Sequence, residues 1–78
     1  MAKKLIGLTA NGIVLPMKEN YTQGDLGELL LYSPPQVRRL LTEGHVLSFQ
    51  KKGRYFITFK EMQRVVETYG GKTIWEEG

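Results

Sequence analysis

The sequence predicts an α+β fold: three short helices and two β-hairpins in one domain over residues 1–78. Three observations lead there. Two β-favourable stretches fold back across turn signals, Asn11-Gly12 and Lys51-Lys52-Gly53-Arg54. Three other stretches carry apolar residues at helical spacing behind capping residues. The chain has 78 residues, 41% hydrophobic and 24% charged, which is the balance of a folded protein with room for one small core.

Residues 1–20 read as an N-terminal hairpin. Leu5–Ala10 and Ile13–Leu15 flank Asn11-Gly12, the favoured type I′ turn because both of its positions need φ > 0. Pro16 ends the second strand or marks it as an edge. Met17–Asn20 is a polar connector. Thr22 caps the first helix, with Asp25 completing an acidic first turn, and Leu26, Leu29 and Leu30 form its apolar stripe. Gly27 lies on the same side and permits a second helix to approach closely.

Ser33-Pro34-Pro35 breaks that helix and starts the next. Ser33 is the N-cap and the prolines occupy the first turn. Val37, Leu40 and Leu41 are the buried stripe, and Gly44 is the stop. Val46–Gln50 alternates as a strand, Lys51–Arg54 turns, and Tyr55–Ile57 returns. Thr58 and Glu61 form a capping box for a third helix, Phe59–Tyr69, with Phe59, Met62, Val65, Val66 and Tyr69 on its apolar face. Gly70-Gly71 ends it, leaving residues 70–78 as a tail.

Several chemistries are excluded. There is no cysteine and one histidine, so neither a disulfide frame nor a thiolate or His-rich metal site is available. The longest apolar run, Leu29–Tyr32, is too short to cross a bilayer. Met1-Ala2-Lys3-Lys4 is basic, but Gly7, Asn11 and Gly12 interrupt the apolar stretch beyond it, so the segment does not read as a signal peptide. No phosphate-binding loop, nucleophile elbow or carboxylate pair spaced for acid–base work is present. The expectation is a cytoplasmic, cofactor-free binding module and not an enzyme.

The net charge of +3 is concentrated. Between Ser33 and Tyr55, five cations (Arg38, Arg39, Lys51, Lys52, Arg54) face one anion, Glu43; elsewhere six cations meet seven acids. Such a basic segment suits a polyanion, although solvated surface is the commoner fate of a charge run. Arg38 and Arg39 are the sharpest candidates, because a guanidinium can bridge guanine O6 and N7 or grip a phosphate. Gln36 suits an adenine edge, and Ser33 and Thr42 flank the same helix. Lys51, Lys52 and Arg54 form a phosphate clamp around Gly53, with Tyr55 beside them to stack or simply to pack. In the tail, Ile74 and Trp75 either fold back on the core or meet a partner.

The order of elements between Tyr21 and about Glu67 carries a resemblance. It reads Asp25-Leu26-Gly27, Leu29-Leu30, Leu31-Tyr32-Ser33, Val37–Leu41, Glu43-Gly44, Val46–Gln50, Lys51–Arg54, Tyr55–Ile57, Thr58–Tyr69. This resembles the small winged helix-turn-helix domains of phage excisionases and MerR-like DNA-binding domains. The resemblance implies a winged helix-turn-helix with three helices, a wing hairpin and an additional N-terminal β-hairpin, residues 21–69 being the reader. The second helix then enters the major groove of double-stranded DNA and the wing lies on the backbone. The implied function is transcriptional regulation or recombination directionality of the excisionase type, near the nucleoid. The protein itself, as a dimer or array, or a recombinase would supply further affinity.

There are departures from the family pattern. Leu31 replaces the turn glycine and predicts a differently shaped turn, since leucine resists φ > 0. Pro34-Pro35 stands where relatives place polar contacts, and the usual proline after the recognition helix is absent. The extra N-terminal hairpin is expected to pair with the wing. The alternative function is an adaptor that binds and redirects a host protein through Ile74, Trp75 and the first hairpin.

Overall fold

A computed structural model describes residues 3–77. Met1, Ala2 and Gly78, at the outer ends of the expected N-terminal segment and tail, lie outside the described residues. The order is β1 (Lys3–Ala10), β2 (Ile13–Pro16), β3 (Asn20–Thr22), α1 (Gln23–Leu30), α2 (Pro34–Thr42), β4 (Phe49–Lys51), β5 (Arg54–Thr58), α3 (Phe59–Thr68) and β6 (Lys72–Glu77). The strands form two antiparallel sheets of three, ordered β2-β1-β6 and β3-β5-β4. The fold is thus α+β with three helices, as the pattern predicts.

The first hairpin closes as expected. Asn11 (φ 51°) and Gly12 (φ 78°) both adopt the left-handed conformation, and Ala10 faces Ile13. The Asn11 side-chain amide also donates to the carbonyl of Leu30 at 3.4 Å, capping the end of α1. On β1 the core residues Leu5 and Leu8 are three apart, which a regular strand would place on opposite faces. A bulge between Leu5 and Gly7 corrects this: one extra residue, Ile6, lets both leucines face inward.

Tyr21 sits at the junction of the two sheets. It is fully buried, and its hydroxyl donates to the Pro16 carbonyl (2.9 Å) and accepts from the Lys18 N–H (3.1 Å). Burial pushes its phenol above the ordinary value. Leu8, Ala10 and Leu15 from one sheet meet Tyr21 and Ile57 from the other. Leu26, Leu29 and Leu30 of α1 and Met62, Val65 and Val66 of α3 complete the core. Both α1 and α3 touch both sheets, whereas α2 packs chiefly on α1.

α1 starts as the sequence predicts. The Thr22 hydroxyl accepts from the Asp25 N–H and the Asp25 carboxylate accepts from the Thr22 N–H, each at 3.1 Å. Gly27 admits α2: a methyl there would lie 3.1 Å from the Val37 Cγ2 and from the Tyr32 carbonyl oxygen.

Six expectations need correction. The turn after α1 is the left-handed one despite lacking glycine: Leu31 takes φ 59° and ψ 39°, and the residue is 64% exposed. The packing of α2 on α1 imposes that conformation, which strains a leucine by roughly 1–2 kcal/mol. The connector 17–20 yields its last residue to β3, whose Tyr21 pairs with Ile57 of β5. Residues 46–48 are not strand, because the Leu47 N–H donates to the Glu61 carboxylate and not to a ladder. For the same reason the capping box of α3 is half made: Thr58 accepts from the Glu61 N–H, but the Glu61 carboxylate is engaged elsewhere. Finally, the tail is a strand. The N-terminal hairpin pairs with β6, from Thr9↔Lys72 through Leu5↔Trp75 to Lys3↔Glu77, and not with the basic hairpin.

Gly71 makes that return possible. A methyl at Gly71 would overlap the Thr9 carbonyl oxygen and come within 2.5 Å of Val66 Cγ1. The opposite charges of Lys4 and Glu76 face each other across the pair and favour this register.

Two stability measurements check these assignments. Leu31→Gly removes left-handed strain at an exposed position, and after glycine's own entropic penalty it should stabilise by about 0.5–1 kcal/mol, read from urea unfolding. Tyr21→Phe should destabilise by about 1–2 kcal/mol, because the Pro16 carbonyl and Lys18 N–H lose their shared partner. A neutral result would show water replacing it.

Candidate nucleic-acid interface

α2 carries the first set of candidate residues. Its buried side is Val37 and Leu41, with Leu40 half-buried, so the opposite side is solvent-facing by periodicity. Arg38, Arg39 and Thr42 are exposed there. Arg39 is tethered by a 3.4 Å pair to Glu43, whose other oxygen lies 3.3 Å from His45 Nε2. No carboxylate among the described residues pairs with Arg38. With Tyr32, Pro34 and Gly24, these side chains rim a groove of about 820 Å³ between α1 and α2.

Ser33 and Gln36 meet at the start of the helix. Gln36 Oε1 accepts from the Ser33 N–H (2.8 Å) and from the Ser33 hydroxyl (3.1 Å). Gln36 therefore spends its oxygen on the cap and keeps its amide N–H donors for a ligand. The prolines at the first two helical positions remove two N–H groups, so the N-terminus offers few backbone donors to an anion.

The second set lies on the β4–β5 turn. Lys52 (φ 53°) and Gly53 (φ 76°) form the tip, and Lys51 faces Arg54 across it. All three cations are exposed, with no carboxylate partner among the described residues. Tyr55 is half-buried and packs against the core, so its ring acts as a structural contact. Its neighbour Phe56 points to the other face, where it stacks on Phe49 at 5.8 Å. No hydrogen bond or ion pair among the described residues joins the helix set to the turn set. Ile74 and Trp75 belong to neither: they lie in β6, opposite Gly7 and Leu5.

The link between α2 and the basic hairpin is a group that the sequence pattern assigns to a cap. Glu61 is only 8% exposed, the one buried charged residue among those described. Its carboxylate accepts from the Leu47 N–H (2.9 Å), from Arg64 Nε (2.9 Å) and from Arg64 Nη2 (2.6 Å). Arg64 Nη2 also donates to the His45 carbonyl at 2.9 Å. The loop between α2 and β4 is thus clamped onto the first turns of α3. The Arg64 hydrogen bonds, the largest influence, hold the Glu61 carboxyl below its ordinary value against the opposing effect of burial. The signal for this clamp in the sequence is the i,i+3 spacing of Glu61 and Arg64.

Three groups of acids are therefore occupied near the basic segment: Glu43 on Arg39 and His45, Glu61 on Arg64, and Asp25 on Lys18 at 3.3 Å. Among the described residues there is no cluster of three or more potential metal ligands and no helix long and apolar enough to cross a membrane. No family model, curated protein or solved structure matches the chain.

The clamp has a testable pH signature. Because the folded Glu61 pKa is depressed, its stabilisation is complete above the ordinary carboxylate range and is lost as pH falls through the folded value. Glu61→Ala should destabilise by about 2 kcal/mol near neutral pH, leaving the Leu47 N–H and Arg64 without their acceptor. Part of the acid sensitivity of unfolding should vanish with it. An unchanged pH profile in that variant would assign the sensitivity to other carboxylates.

Proposed function

We propose that this chain is a double-stranded DNA-binding protein of the winged helix-turn-helix type. In this reading α1 and α2 are the helix-turn-helix unit, α2 enters the major groove, and the β4–β5 hairpin is a wing on the neighbouring backbone. The carrying observation is that α2, packed chiefly on α1, turns Arg38 and Arg39 to solvent with a second basic site on the following hairpin.

The roles divide by chemistry. Arg38 suits direct base reading, since a planar fork of donors matches guanine O6 and N7. Arg39 exchanges its exposed pair with Glu43 for a phosphate, a change that loses little because such surface pairs contribute at most about 1 kcal/mol. Gln36 and Thr42 flank the reading face, and Ser33 keeps its capping role. Lys51, Lys52 and Arg54 grip phosphates, which positions the protein without reading sequence. Transcriptional control or architectural assistance to recombination is the role such a reader would serve. A single module covers roughly 600–1,000 Å², so useful specificity calls for more than one copy or a partner.

Titration with duplex DNA at several salt concentrations tests this. With about four phosphate contacts, the slope of log affinity on log salt should be about −3 to −4. Arg38→Ala with Arg39→Ala should weaken specific binding by about 1–3 kcal/mol for each base that is no longer read. Lys52→Ala should weaken all sequences alike and make the salt slope shallower by about 1. Binding that ignores the double arginine change would remove α2 from the groove; no binding at low salt would end the proposal.

A further inference from the structure

β6 is an edge strand: β1 pairs with one side of it and no described strand pairs with the other. An open edge is a template for another strand, and charged residues along it either guard it or select what pairs there. Here the charges have an order. Lys72-Thr73-Ile74-Trp75-Glu76 runs from a cation to an anion with Ile74 at the centre.

Symmetry limits the choices for a second copy. A two-fold axis perpendicular to an antiparallel pair sets some residue opposite itself, since facing residues share one side of the sheet. Centred on Thr73, Lys72 would face Ile74 of the partner subunit. Centred on Trp75, Thr73 would face Glu77 of the partner subunit. Centred on Ile74, Lys72 faces Glu76 of the partner subunit, and by symmetry this happens twice. Only that register joins opposite charges.

The intrachain side agrees. Lys72, Ile74 and Glu76 alternate onto one face, where Ile74 lies opposite Gly7 on β1. Gly7 has no side chain to cover Ile74, and one would strike the Leu15 carbonyl oxygen at 2.6 Å. Val14 is 60% exposed and shares this face through Thr9. On the other face Trp75 is 49% exposed, and in this register it meets the small Thr73 of the partner subunit.

We infer that β6 is a self-association edge, pairing antiparallel with β6 of a second copy about Ile74 and joining two three-stranded sheets into one of six strands. The contact spans only about five residues per copy, so the dimer is concentration-dependent and not obligate. This inference stands apart from DNA binding.

Sedimentation equilibrium of the full chain without DNA should show the 8.9 kDa monomer doubling in mass as concentration rises. Lys72→Glu sets carboxylates against each other twice and should weaken association by about tenfold or more. Its circular dichroism should stay unchanged, because Lys72 faces only Thr9 within the chain. The sequence has no cysteine, so an introduced thiol reports register directly. Ile74→Cys should oxidise to a covalent dimer, and Thr73→Cys should not. A monomer at all concentrations, or Thr73→Cys cross-linking as fast as Ile74→Cys, would overturn the inference. Arg38→Ala with Arg39→Ala should leave the dimer intact, which separates this edge from the DNA-reading face.

Discussion

The carboxylate of Glu61 is the constraint on which the basic segment depends. It is withdrawn from water and is acceptable there only because two Arg64 nitrogens and the Leu47 N–H satisfy it. In accepting from Leu47 it stops that residue from continuing a strand. In orienting Arg64 it lets the same guanidinium hold the His45 carbonyl. α2 itself stops at Gly44 (φ 78°), while Glu61, by holding Leu47, keeps β4 to Phe49–Lys51 and sets where the basic turn begins. Losing one partner of such a network costs more than the pair contributes, because the others are left unsatisfied.

The α1–α2 corner shows a second kind of constraint. Gly27 removes a side chain so that Val37 can approach, and Leu31 accepts a left-handed backbone so that α2 can turn. The strain at Leu31 is offset by burial of Val37 and Leu41 against the core. As α2 gains its anchorage chiefly from α1, its outer face stays available. The same geometry that strains Leu31 presents Arg38 and Arg39.

Charge follows the same division of labour. Three acids near the basic segment, Glu43, Glu61 and Asp25, are held by capping or pairing, while Arg38 and the turn cations have no carboxylate partner among the described residues. A positive field is thus left on the helix and hairpin without raising the net charge beyond +3. At the opposite sheet β6 runs from Lys72 to the acids Glu76 and Glu77, which stand opposite Lys4 and Lys3 of β1, an arrangement suited to register and not to a polyanion.

Local signals wrote much of this fold into the sequence. Asn11-Gly12 makes its turn because both residues tolerate φ > 0. Thr22 with Asp25 and Ser33 with the two prolines start their helices, and the leucines of α1 fall on one stripe. The positions of Arg38, Arg39, Lys51, Lys52 and Arg54 as exposed groups follow from the same periodicity and turn chemistry. The sequence could not disclose β3 or β6. Each has few apolar residues and becomes a strand only when β5 or β1 supplies a ladder far away in the chain. Nor could it disclose the role of Glu61, since burial of a carboxylate is decided by the groups that approach it, or the conformation of Leu31, which packing imposes against local preference. Short-range backbone preferences and apolar spacing determined the elements and their outward faces. Pairing between distant segments, with the desolvation and strain it imposes, decided how those elements close, and only the tertiary structure holds that information.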